Sequence, residues 1–113
     1  MQYEQRCFEI VRENEEIRTV QFDCIPLGRA VGEKIGPETY SKGVEIHLTD
    51  KGAYIIYVYF RDENGNIESA NYTEVKSLEL GVMRSSLKEV GIYPGPMFSE
   101  AVYHSTDTLE LLS

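Results

Sequence analysis

Apolar and polar positions alternate with a period of two through much of the first two thirds of this chain. That is the mark of half-buried strands. The exception is Ala53-Tyr54-Ile55-Ile56-Tyr57-Val58-Tyr59-Phe60, eight apolar or aromatic residues without a charge. It lies between two turn signals, Asp50-Lys51-Gly52 and Glu63-Asn64-Gly65. β-branched and aromatic residues fit a pleated strand. A strand apolar on both faces is covered on both, so this segment is predicted to be central in an antiparallel sheet. Before it, Val44, Ile46 and Leu48 alternate with Glu45, His47 and Thr49. A type I turn with a left-handed Gly52 pairs Leu48 with Tyr54, Ile46 with Ile56 and Val44 with Val58. The other face then sets His47 against Ile55 and Glu45 against Tyr57. After it, Asn64-Gly65 turns the chain, either as a two-residue loop or as a three-residue loop with Gly65 left-handed. The more polar run Ile67 to Val75 follows as an edge or solvent-facing strand, and completes a meander over 43–75.

Two further alternating runs, 6–12 and 18–24, predict an N-terminal hairpin. Pairing Phe8 with Phe22 and Ile10 with Val20 makes one face apolar and leaves Asn14-Glu15-Glu16 as the loop. Cys24 then points to the buried face and Cys7 to the opposite one, too far apart in direction for a disulfide. Pro26 is expected to end the second strand. The stretch from Leu27 to Lys42 carries three glycines and a proline and reads as a long connection, a type of segment that often has a function. Its bases, Arg29, Lys34 and Lys42, outnumber its acids, Glu33 and Glu38. It lacks both the P-loop spacing and GxGxxG, so phosphate binding is not supported.

In the last third, Leu78, Leu80 and Val82 alternate as in a strand, but Met83, Leu87 and Val90 recur at helical spacing, which favours a helix from about Leu78 or later to Val90 closed by Gly91. Ser86-Leu87-Lys88-Glu89 resembles a capping box, and Ile92 to Pro96 a loop. Pro96 suits the first turn of a second helix with Phe98, Ala101, Val102 and Ser105 on one face. Thr106-Asp107 is expected to interrupt that pattern, leaving Leu109, Leu111 and Leu112 as a separate strand or turn tied down on the sheet. The fold class is therefore α+β: an antiparallel sheet of four to six strands with two short helices in the C-terminal third, in a single domain over 1–113.

Charge narrows the partners. The net charge of −8 repels nucleic-acid phosphates and anionic membranes, so neither is expected as a direct partner. The N-terminus lacks the layout of a signal peptide and no apolar run is long enough to span a bilayer, which makes cytoplasmic the expected location. Free thiols agree with a reducing compartment. There is no H-E-x-x-H, no G-x-S-x-G and no cysteine spacing for a metal, so no metal or other cofactor is expected.

What remains is one strand face. Glu45, His47, Ile55, Tyr57 and Tyr59 are placed together by the predicted register, opposite the main core. Tyrosine joins a large apolar body to a polar tip and suits interfaces. If that face is exposed, it is a partner surface, and the chain is a non-enzymatic protein-interaction domain, acting as a homodimer or as a regulator or inhibitor of another protein. If it is enclosed, it is a second internal core. The alternative function is a small-molecule binding domain or small enzyme with a tyrosine-lined pocket, with Arg29 and Lys34 of the long connection over its mouth.

Overall fold

The computed structural model describes residues 2–34, 40–90 and 95–112, with backbone alone for residues 33, 34 and 40. Five strands are followed by two helices: β1 (Glu4–Ile10), β2 (Arg18–Lys34), β3 (Tyr40–Thr49), β4 (Tyr54–Arg61), β5 (Ile67–Val75), α1 (Leu80–Glu89) and α2 (Pro96–Leu112). The strands pair antiparallel in sequence order, each with the next. This is the α+β arrangement that the alternation predicts.

The β3–β4 ladder has the expected register: Leu48 pairs with Tyr54, Ile46 with Ile56, Val44 with Val58, Glu45 with Tyr57 and His47 with Ile55. Gly52 and Gly65 both have positive φ, 84° and 83°. Asp62 N donates to Asn66 O at 2.9 Å, which makes the β4–β5 connection the three-residue form of the turn.

Ile46, Ile56, Val44 and Val58 form one core with Ile25, Leu27, Ala30 and Val75 of the sheet and Met83, Leu87, Phe98 and Ala101 of the helices. The helices therefore cover the face of the sheet that the sequence marks as its main apolar face. The opposite face curls inward. At its rim Val11 and Ala70 exchange both backbone hydrogen bonds at 3.0 Å, joining the end of β1 to β5. Arg12 reinforces the contact, donating from Nη2 to Asn71 Oδ1 at 2.8 Å. The curl encloses Phe8, Ile10, Cys24, Tyr57, Tyr59 and Ala70 as a second core. β5 is thus bordered by β4 on one side and touched by the β1 end on the other.

Four expectations need correction. The N-terminal hairpin is shifted by two residues, with Phe8 opposite Val20 and Phe22 opposite Arg6. An even shift preserves the faces, so Cys24 is buried, Cys7 is exposed and both thiols are free. The turn is correspondingly longer, with Asn14 rather than a glycine in the left-handed region at φ 62°.

Pro26 does not end β2. A bulge between Pro26 and Gly28 absorbs the proline, and the strand continues to Lys34 against β3. The predicted long connection is therefore mostly strand; residues 35–39 lie outside the described part.

Ser86 lies inside α1 rather than capping it, and the N-cap is Glu79 without a side-chain hydrogen bond. The expected closing residue, Gly91, and the loop over residues 92–94 lie outside the described part.

Thr106-Asp107 does not interrupt α2, which runs on to Leu112. Thr106 Oγ1 donates to Val102 O at 3.0 Å, within the helix, and Thr108 Oγ1 lies 2.7 Å from Leu27 O, fastening the helix to the bulge in β2. Leu109 packs on the helix-side core, while Leu111 stays 80% exposed. Among the described residues, no helix is long and apolar enough to cross a membrane.

Candidate functional site

Period-two geometry brings the polar groups of the inner face together. Even positions of β1 and odd positions of β3 and β4 point into the curl, as the strand registers require. The bulge in β2 switches its parity, so that Cys24 and Pro26 share this face before the bulge and Arg29, opposite Glu45, shares it afterwards. Beyond the apolar centre of the curl lies a pocket of about 280 Å³, lined by Arg6, Pro26, Leu27, Gly28, Arg29, Glu45 and His47.

The wall of the pocket carries an ordered pair. His47 Nε2 lies 3.0 Å from Glu45 Oε1. The hydrogen bond from His47 is the main cause holding the Glu45 carboxyl below its ordinary value, opposed by burial and assisted by the charges of His47, Arg29 and Arg61. An ionised carboxylate only accepts, so Nε2 carries the proton of this bond. The His47 ring is packed edge-on against Phe8, with centroids 4.9 Å apart, and the residue is 5% exposed. Its other nitrogen, Nδ1, is buried and has no hydrogen-bond partner in the structure. Arg6 Nε is in the same condition, although the Arg6 side chain is 36% exposed and reaches Glu4 at 3.5 Å. These two atoms are notable because buried polar groups are nearly always paired.

The tyrosines lie beside the pair on β4 and do not line the pocket, so the expected tyrosine-lined pocket is not what the structure has. Tyr57 and Tyr59 are 6% and 5% exposed. Their rings lie 5.6 Å apart, and Phe8 lies 5.1 Å from Tyr57. Tyr57 Oη donates to Glu9 O at 2.8 Å, and Arg61 sits over the Tyr59 ring at 5.2 Å. Burial, then the Glu45 and Glu9 carboxylates, push the Tyr57 phenol up to about 12. Burial and Glu45 raise Tyr59 as well.

Glu45, His47, Tyr57 and Tyr59 are therefore gathered as the sequence suggests, but within the curl. Ile55 is on the same face and fully buried. These five do not form an exposed sheet face, which removes the surface on which the partner expectation rested. Arg29 borders the pocket from a strand rather than from a loop. Lys34 ends β2, and its side chain lies outside the described part. Arg6, Pro26, Leu27 and Gly28 are the lining residues that sequence reading missed. The signal for Arg6 was present: it precedes Phe8 and Ile10 at the same parity, which places a cation on an apolar strand face. Among the described residues, no group of three or more histidine, cysteine or acidic side chains is placed to hold a metal ion.

The raised phenol has a consequence for stability at high pH. An unfolded tyrosine loses its proton near pH 10, whereas folded Tyr57 keeps it to about 12. Its contribution is therefore complete below pH 10 and is lost as the pH rises through 12. The loss amounts to about 2–3 kcal/mol for this group. Urea midpoints measured from neutral pH to pH 12 should fall more steeply in the wild type than in Tyr57→Phe. The same slope in both would show that Tyr57 titrates like a free phenol.

No family model, curated protein or solved structure matches this chain.

Proposed function

We propose that this chain is a small-molecule binding domain whose ligand enters the pocket between Arg6, Arg29 and the Glu45–His47 pair. One observation carries this reading: Arg6 Nε and His47 Nδ1 are both buried without a partner, and both residues line the same pocket. Leaving a buried polar atom unpaired costs about 1–3 kcal/mol. A ligand that pairs them recovers that cost, which is how a binding site gains affinity from atoms that contribute nothing to folding. The volume, about 280 Å³, is at the small end for ligand pockets and suits a fragment-sized molecule. Tyr57 and Tyr59 do not line the pocket, but they pack on Phe8 and each other beside the Glu45–His47 pair and support it from behind.

A fragment library screened by protein-observed NMR tests this. Binding fragments should shift the amide signals of Arg6, Arg29, Glu45 and His47 together. Shifts confined to the apolar groove between the helices, at Leu80, Met83, Phe98 and Tyr103, would move the site elsewhere. A library that leaves the Arg6–His47 signals unmoved would end the reading.

A further inference from the structure

The hydrogen-bond capacity left open at the pocket defines a ligand class. We infer that the pocket takes a small hydroxy acid, a carboxylate with a neighbouring hydroxyl on an apolar body; this rests on the binding reading above. The inference follows from assigning each open group its chemical need.

Glu45 is already engaged by His47 Nε2, so an imidazole holding a single ring proton spends it there. Nδ1 then presents a lone pair and requires a donor, which a hydroxyl supplies and a carboxylate does not. Arg6 Nε has the opposite need: it can only donate, and requires an acceptor. The charges decide what kind of acceptor. Two guanidinium groups, Arg6 and Arg29, line the pocket against one carboxylate, Glu45, which is held by His47. Among the lining side chains bases therefore exceed acids by one, with Glu4 outside the lining 3.5 Å from Arg6, in a chain of net charge −8. Guanidinium groups bind carboxylates in planar, two-point contacts. A hydroxyl on Nδ1 and a carboxylate on the arginines meet all three requirements in one molecule. Pro26 and Leu27 supply the apolar part of the lining for its body.

Both open atoms are shielded from solvent, so a ligand reaches them only if a lining side chain moves, and Arg6 is the one most able to. That arm is long, and its side chain is 36% exposed. The Arg6–Glu4 contact at 3.5 Å is a surface ion pair of little strength, which leaves the guanidinium free to exchange partners.

The inference is tested on wild-type protein with three probes of nearly equal size, titrated by NMR or calorimetry. Mandelate carries both groups, phenylacetate lacks the hydroxyl and mandelamide lacks the charge. Mandelate is expected to bind at least about ten-fold more tightly than either. Arg6→Gln should reduce mandelate to the level of mandelamide, and His47→Phe should erase the difference between mandelate and phenylacetate. Equal affinities for the three probes on the wild type would overturn the hydroxy-acid assignment. So would silence from mandelate while neutral or cationic fragments still shift the Arg6, Arg29 and His47 signals; in that case the pocket binds, but a different chemistry. If no fragment of any class moves those signals, the binding reading falls and takes the ligand class with it. Because the probe series needs no mutation, a variant that fails to fold does not leave the question open.

Discussion

Gly28→Ala is expected to destabilise the fold by about 3 kcal/mol, near the upper end for overpacking. A Cβ built on Gly28 would stand 2.6 Å from Ser105 N, 2.6 Å from Ser105 Oγ and 2.7 Å from Ala101 O. Two of these three obstacles are backbone atoms of α2, so a rotamer change does not clear them. Nor can the helix retreat freely. Ser105 and Ala101 are fully buried, and Thr108 Oγ1 ties α2 to Leu27 O, one residue from the substitution. Gly28 is not required for its backbone conformation, since its φ is not among the positive ones; it is required because the helix lies directly on the strand. Two controls isolate that cause. Gly32→Ala meets only the end of the flexible Met97 side chain, which can turn away, so it should cost less than about 1 kcal/mol. Adding Ser105→Ala to Gly28→Ala removes one obstacle of three and should restore little. Urea midpoints with unchanged m-values measure all three variants. A Gly28→Ala protein within 0.5 kcal/mol of wild type would mean that α2 does not rest on this glycine.

The same glycine shows why part of the fold was hidden from sequence reading. Pro26, Gly28 and Gly32 look like strand breakers when judged by propensity. In the structure they lie in the longest strand, the proline absorbed by a bulge and Gly28 serving as a seat for α2. Propensity describes a residue in isolation, whereas this requirement is set by a helix over seventy positions later in the chain. By contrast, the β3–β4 register was legible pair by pair, because strict alternation and a tight turn are both local. Thr106 misled in the same way as the glycines: its hydroxyl bonds to Val102 O within the helix instead of breaking it.

For the candidate site, alternation alone brought Glu45, His47, Tyr57 and Tyr59 to one face. It did not reveal that the face is inside. That depends on the Val11–Ala70 junction, a contact between chain segments nearly sixty residues apart with no turn signal to announce it. Arg6 joins the site only once the β1–β2 register and the bulge place it beside Pro26 and His47.

The second large effect should come from the helix-side core. Ile56→Ala is expected to cost about 4 kcal/mol, within the range for deleting a fully buried isoleucine side chain. Ile56 is 0% exposed and lies at the middle of β4, an interior strand, between Ile46 and Thr73 on its neighbours. It belongs to the cluster that joins Val44 and Val58 of the sheet to Met83, Leu87 and Phe98 of the helices. A cavity in this position is bounded by hydrogen-bonded strands on two sides, and relaxation to fill it would require moving a helix held elsewhere by the Thr108–Leu27 bond. Stabilities of domains this size are about 5–15 kcal/mol, so the loss removes a large share, and a fall in Tm of some 15 °C or more is expected. Leu111→Ala, at an 80% exposed position, should change stability by less than about 0.5 kcal/mol and serves as the control. Ile56→Val separates packing from backbone effects: it keeps the β-branch and should cost only about 1 kcal/mol. If Ile56→Ala and Leu111→Ala lost similar stability, the helices could not be the lid of this core, and the packing of both helices on one face of the sheet would have to be abandoned.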